Sequence, residues 1–343
     1  MRYIFCLILA LWPLALSAQN WEDRQIFRGA ALHDTAANTD AVQLRILSST
    51  DTAFFIPIIR RFLADRPSVS IEYLVAGSAQ IDHIFRQAPA QYDLVISSAM
   101  DLQFKLTNDG YAQPIEDLVT PDWAQWRQSL FAFTSEPAAI VIRRADFDGH
   151  PIPQTRQELI EAMRARPEVF RNRLGTYDIR RSGLGYLFAT QDARASETYW
   201  RLTEVMGNLG TRLYCCSGDM ITDLANGKLA VAYNVLGSYA LARSETASAL
   251  TVVLAADFPT TMMRTGFVTA SAPQPELAKE FIRHLIRVQT QAVDPESFLL
   301  PPLIQSQITP AQSTIALGPA LMTYLDRLKR RMFLKEWTRA IIR

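Results

Sequence analysis

Between Val42 and Ser98 a strand-forming run ends in hydroxyl side chains and gives way to a helix or turn, and then does so again and again, which leaves few folds open. Val42 to Leu47 alternates like a half-buried strand, ends in Ser48, Ser49, Thr50 and Asp51, and leads into Phe54 to Leu63 with apolar residues at helical spacing. Pro67 stops that helix. Val69 to Val75 alternates again, closes on Ala76, Gly77 and Ser78, and is followed by a helical run from Ile81 to Arg86. Tyr92 to Ile96 is almost continuously apolar, as a strand buried on both faces is, and it ends in Ser97 and Ser98. In an open parallel sheet, ligands gather outside the carboxyl ends of the strands. Any one of these serines by itself reads as a helix N-cap, worth about 1 kcal/mol. Several on one sheet edge make Ser48, Ser49, Ser78, Ser97 and Ser98 candidates for a binding crevice, with Thr50 beside them.

A second α/β unit follows. Phe131 to Pro137 and Ala138 to Arg143 form an extended apolar passage out of the first unit, and a helix is expected over Gln157 to Arg166 and a strand over Leu174 to Tyr177. The junction Asp178 to Tyr186, DIRRSGLGY, holds two arginines, a capping serine and two glycines that let the backbone approach a ligand. Helix N–H groups and the positive end of the dipole point at what binds there, which suits an anion. Arg181, Ser182 and Gly183 are therefore candidates; Arg181 is preferred to Arg180 for its adjacency to Ser182. Further helices are expected over Tyr186 to Gln191 and Glu197 to Leu209. After the segment from Arg212 to Cys216 come a turn at Ser217, Gly218 and Asp219, a helix over Met220 to Asn226, and a strand over Leu229 to Asn234. Leu250 to Ala255 and Thr265 to Thr269 are two more strands. Glu276 to Val288 is an amphipathic helix assigned, with the tail Ala320 to Ile342, to the first unit.

The chain has 343 residues, 49% of them hydrophobic, enough for two cores. A formal net charge of +1 gives no basic field for nucleic acid, so each arginine is judged by its position. Met1 to Ala18 reads as a cleaved signal peptide: one positive charge, an apolar run from Ile4 to Leu16 too short to span a bilayer as a mature helix, then small residues. Export to the periplasm is the expectation, with an uncut N-terminal anchor as the alternative. Gln19 to Ala41 is polar and aperiodic and reads as a loose arm, so that the folded body starts near Val42. After cleavage only Cys215 and Cys216 remain. Neighbours cannot staple distant parts of a chain, so they read as two small apolar side chains or as a vicinal redox pair, and no metal spacing surrounds them.

The blocks Asp93 to Ser98, Phe131 to Ile142, Asp178 to Tyr186, Gly227 to Asn234, Thr265 to Val268 and Pro275 to Ile282 together resemble the periplasmic solute-binding proteins of ABC transporters. The group is the broad one with iron(III)-binding, phosphosugar-binding and phosphoglycerate transport regulatory members. The resemblance runs from about Val42 to about Leu300. It implies the α/β, type II periplasmic binding protein fold: two lobes, each a mixed sheet flanked by helices, joined by crossing strands near Ala138 to Ile142 and Arg264 to Val268. Lobe 1 would comprise 42–136 and 264–343, lobe 2 would comprise 137–263, and residues 1–18 the leader. It also implies no enzyme activity and no cofactor, a small anionic solute such as a phosphorylated or carboxylated compound, and delivery to a membrane permease. Ser49, Thr50, Ser78, Ser97 and Ser98 would form one wall of the cleft and Arg181, Ser182 and Gly183 the other, with Ser217, Asn234 and Tyr239 as further ligand-binding candidates.

Two other readings stay open beside it. The phosphoglycerate relative implies a sensing role at a membrane histidine kinase. Ferric-ion binders in the group present adjacent tyrosines where this chain, from Asn234 to Ala240, has Tyr239 without a neighbouring one, which leaves too few anionic oxygens for Fe(III). An enzyme is disfavoured because the four histidines, His33, His83, His150 and His284, lie in unrelated segments and none sits in a catalytic motif.

Overall fold

A computed structural model describes residues 21–32, 42–241, 248–290, 299–303 and 314–342. The leader 1–18, with Cys6, and positions 33–41 of the arm lie outside the described residues. Among the described residues no helix is long and apolar enough to cross a membrane.

Strands β1 (Asp23–Arg28), β2 (Val42–Ser48), β3 (Val69–Val75), β4 (Leu94–Ser97), β5 (Ala112–Gln113), β6 (Gln125–Trp126) and β7 (Leu130–Ala132) belong to a first sheet. Strands β8 (Glu136–Arg143), β9 (Leu174–Tyr177), β10 (Arg212–Tyr214), β11 (Val231–Leu236), β12 (Leu250–Val253) and β13 (Thr261–Met262) belong to a second, and β14 (Thr265–Thr269) returns to the first. The first sheet runs β1-β3-β2-β4-β14-β7-β6, with β5 also on β14; the second runs β10-β9-β11-β8-β12, with β13 also on β8. Helices fill the connections: α1 (Thr52–Ala64), α2 (Ile81–Gln87), α3 (Met100–Asn108), α4 (Arg156–Ala165), α5 (Pro167–Phe170), α6 (Gly183–Ala195), α7 (Thr198–Asn208), α8 (Ser217–Ala225), α9 (Gly237–Leu241), α10 (Pro275–Thr290) and α11 (Arg327–Ile341).

Register fixes where the hydroxyl turns fall. β2 is parallel to both β3 and β4, with Ser48 opposite Val75 on one side and Ile96 on the other. The three strands therefore end level, and the turns after them share one edge. Helix α1 covers the sheet with Phe54, Phe55, Ile58, Ile59, Phe62 and Leu63, a buried stripe at helical spacing.

The N-terminal arm departs from its expected looseness. Its residues Asp23 to Arg28 pair antiparallel with β3, and the Arg24 and Arg45 guanidiniums each reach Glu72 at 2.6 Å. Such a strand is held by its backbone ladder; most of its side chains face solvent, so no alternation marked it. Helix α6 starts a turn before the expected Tyr186, because Ser182 caps it and Gly183 already lies within it.

The lobe-to-lobe passages lie at Phe133 to Ser135 and at Met263 and Arg264, whereas Ala138 to Ile142 forms the middle of β8, between β11 and β12. The passages hold each other: Phe133 N–H donates to the Arg264 carbonyl at 3.0 Å, and Arg264 N–H donates to Thr134 Oγ1 at 2.9 Å.

The tail does not stay with the first lobe. A 3-10 turn over Pro319–Leu325 rests on α3, but α11 lies along α7, and its Phe333, Trp337 and Ile341 join the second lobe's core with Leu159, Phe170 and Tyr199. Phe333 packs edge-on or tilted against the rings of Tyr186, Trp200 and Tyr324. The apolar side chains of this helix fit either lobe by periodicity; only the tertiary fold chooses.

Candidate functional site

Between the lobes lies a cleft whose walls carry Ser49, Ser78 and Ser98 from the first lobe and Ser182, Ser217 and Tyr239 from the second, with Arg264 at its floor. Glu22, Asp51, Tyr177, Cys215 and Cys216 line it as well. The first wall follows from the level strand ends. Ser49 Oγ lies 3.1 Å from Ser97 Oγ and accepts from Ser98 N–H at 3.1 Å, so the turns after β2 and β4 are tied to each other. Ser97 itself is buried and caps its own turn by accepting from Ala99 N–H at 3.1 Å.

The second wall is built by two helix starts. Ser182 Oγ accepts from Gly185 N–H at 3.1 Å as the N-cap of α6, and Ser217 opens α8 and hydrogen-bonds the Tyr177 hydroxyl. The lobes meet directly at α6. Ser78 Oγ of the first lobe accepts from Gly183 N–H at 3.0 Å and Leu184 N–H at 3.2 Å. With Gly185 held by Ser182, the first three N–H groups of this helix all have protein acceptors. A Cβ on Gly183 would stand 3.0 Å from both Ala99 Cβ and the Ser78 carbonyl oxygen, so a side chain here would press on the other lobe.

Several expected site residues fall elsewhere. Arg181 is exposed and absent from the cleft wall, and Arg180 turns back onto Asp178 at 2.7 Å. Burial opposes the charge on Asp178, but the Arg180 hydrogen bonds hold its carboxyl below the usual range. Asn234 adopts φ 62 and donates to Asp192 Oδ2 at 2.7 Å. There it joins Tyr233, Arg156 and Thr260 in a buried polar knot inside the second lobe. Thr50 is fully buried and acts one layer behind the wall, accepting from the Arg264 guanidinium at 2.6 Å.

Arg264 is the cation that sequence reasoning missed. It is 1% exposed, its Nε meets Glu136 Oε1 at 2.6 Å, its second terminal nitrogen meets Oε2 at 3.2 Å, and its guanidinium lies 6.0 Å from the Tyr239 ring centre. Burial works against its charge, yet Glu136 and Tyr239 hold its pKa above the ordinary arginine range. Ser238 Oγ and Thr134 Oγ1 donate to the same carboxylate at 2.8 and 2.9 Å. The sequence carried one usable signal: Glu136 and Arg264 are single charges inside apolar runs, and a buried charge needs a partner. Glu22 was hidden in the arm. Burial, and then the charges of Asp51 and Asp219, push its carboxyl up.

The two tyrosines bear on the ferric reading. Tyr177 and Tyr239 both line the cleft, but burial raises both phenols above their ordinary range; one hydroxyl is engaged by Ser217 and the other by the Arg264 guanidinium. The Arg264 guanidinium beside the Tyr239 ring opposes the charge of a trivalent cation at that position.

No family model matches the chain, and no curated protein sequence does. Solved structures do. The substrate binding protein of an ABC transporter from Agrobacterium tumefaciens is 29% identical with a TM-score of 0.83, over 93% of this chain and 98% of that one. AfuA from Actinobacillus pleuropneumoniae, a periplasmic binding protein with fructose-6-phosphate bound, is 14% identical with a TM-score of 0.71, over 87% and 98%. Iron-bound HitA from Pseudomonas aeruginosa is 16% identical with a TM-score of 0.61, over 87% and 99%.

Proposed function

From a chain that shares the type II fold of the periplasmic substrate-binding proteins of ABC transporters, we propose a protein that captures a small polar solute between its lobes and hands it to a membrane permease. The periplasm is its place of action, reached through the N-terminal leader, and binding rather than catalysis is its task.

The observation that carries the solute's chemistry is the make-up of the cleft. Serine and tyrosine hydroxyls from both lobes surround it, and Glu136 neutralises its one lining arginine. Hydroxyls donate and accept alike, which matches a neutral, hydroxyl-rich solute. The α6 N–H groups that would have drawn an anion are satisfied by Ser78 and Ser182. A phosphorylated or carboxylated solute is the second reading, favoured by Arg264 at the cleft floor and by the start of α8 at Ser217.

Thermal melts of the chain against neutral sugars and polyols, phosphorylated sugars and dicarboxylates separate the two. A solute at 100 times its dissociation constant adds about 2.7 kcal/mol of stability. Stabilisation by a neutral member alone supports the first reading, by an anionic member alone the second, and by none of them neither.

A further inference from the structure

The second lobe's edge of the cleft carries a side-chain cluster that the solute reading does not use. Cys215 and Cys216 follow β10, Asp219 lies in the first turn of α8, and the two sulfurs and a carboxylate oxygen all lie within 4.8 Å of one another. Both cysteines are free thiols of intermediate exposure and Asp219 is exposed, so the cluster opens to solvent. Cys215 Sγ is 3.9 Å from Asp219 Oδ2. Spacing alone argued against a metal here, because adjacent cysteines with no third ligand in a standard motif make no recognisable site. The first turn of α8 changes that by folding Asp219 back over the pair.

We propose that Cys215, Cys216 and Asp219 form a binding site for a thiophilic divalent cation of the Zn²⁺ type. Two thiolates and one carboxylate supply three of the four donors of a tetrahedral site, and the fourth position stays open to water. Binding displaces the two thiol protons to solvent, leaving two S–metal bonds and no change of oxidation state. Glu22 of the opposite lobe, a co-lining residue, adds negative charge facing the cluster. The site is independent of the identity of the solute.

The test uses the whole chain, kept reduced. Titration with Co²⁺ should give the intense near-ultraviolet band of thiolate-to-cobalt charge transfer, saturating at one ion per chain and abolished by Zn²⁺. Zn²⁺ should also protect both thiols from alkylation in the unaltered chain, a readout that needs no variant. Cys215→Ser with Cys216→Ser should remove the band, and Asp219→Asn should weaken Zn²⁺ binding by roughly tenfold or more, a scale that even outer-shell partners reach. No thiolate band and no protection would overturn the proposal, as would Zn²⁺ binding that is unchanged in the double variant. Unchanged affinity in Asp219→Asn would overturn the three-donor site.

Discussion

Arg264 ties the two lobes together at the cleft floor. Its guanidinium reaches Thr50 of the first lobe and Glu136 at the start of β8, and it sits at the passage between the sheets. Breaking a buried pair by removing one partner strands the other charge, which costs about 3 to 5 kcal/mol. Arg264→Met should lose that much in urea unfolding, and a loss below about 1 kcal/mol would show that Glu136 is satisfied without it. Arg181→Ala, by contrast, should leave solute affinity unaltered and stability within about 0.5 kcal/mol, as an exposed residue outside the wall does. Asp101 in α3 makes a pH prediction. It is 3% exposed, and burial pushes its carboxyl up to about 7 from an ordinary 3.8. A carboxyl raised on folding is held protonated by the fold, so stability is fullest below the unfolded value and falls as pH rises toward the folded one. Asp101→Asn should therefore raise the melting temperature at about pH 8 and change it little at about pH 4. An equal shift at both would assign the effect to something other than ionisation.

Helix α6 shows what two glycines accomplish two positions apart. A Cβ on Gly185 would stand 2.3 Å from Tyr177 Cβ in its own lobe, while one on Gly183 would press on Ser78 and Ala99 of the other. Gly185→Ala should thus cost the fold about 1 to 3 kcal/mol by overpacking. Gly183→Ala should spare the fold but disfavour lobe contact, raising the radius of gyration in solution scattering; an unchanged radius would mean that the contact tolerates a methyl group. At this scale the sequence was largely readable. The level hydroxyl turns are legible as strand periodicity, and the presence of a capped helix after DIRRSG is legible too, because caps and glycines act locally. What was not readable depended on distant partners. Two amides of that helix start meet Ser78, more than a hundred positions earlier, a contact that no local pattern marks. The arm reads as loose because an exposed strand leaves no apolar alternation, and the same pattern hides Glu22 at the cleft.

Among the described residues, two sheets are joined by two short passages and spanned a third time by the tail, which leaves α3 of one lobe and ends along α7 of the other. Trp337 is 2% exposed in the second lobe's core, and Trp337→Ala should cost about 3 to 5 kcal/mol in unfolding; a truncation tolerated within about 1 kcal/mol would mean that α11 is not part of that core. Under the proposed function, capture is rigid-body closure about these passages, with the hydroxyl walls brought together over the solute. The central claim, capture of a small solute in that cleft, is tested most directly by calorimetric titration of each solute class into the parent chain and into a chain carrying Ser49→Ala and Ser98→Ala. The account predicts one solute per chain, with affinity falling several-fold in the variant, as loss of hydrogen bonds worth about 0.5 to 1.5 kcal/mol each requires. Heat from no class, or an affinity identical in the two chains, would contradict it.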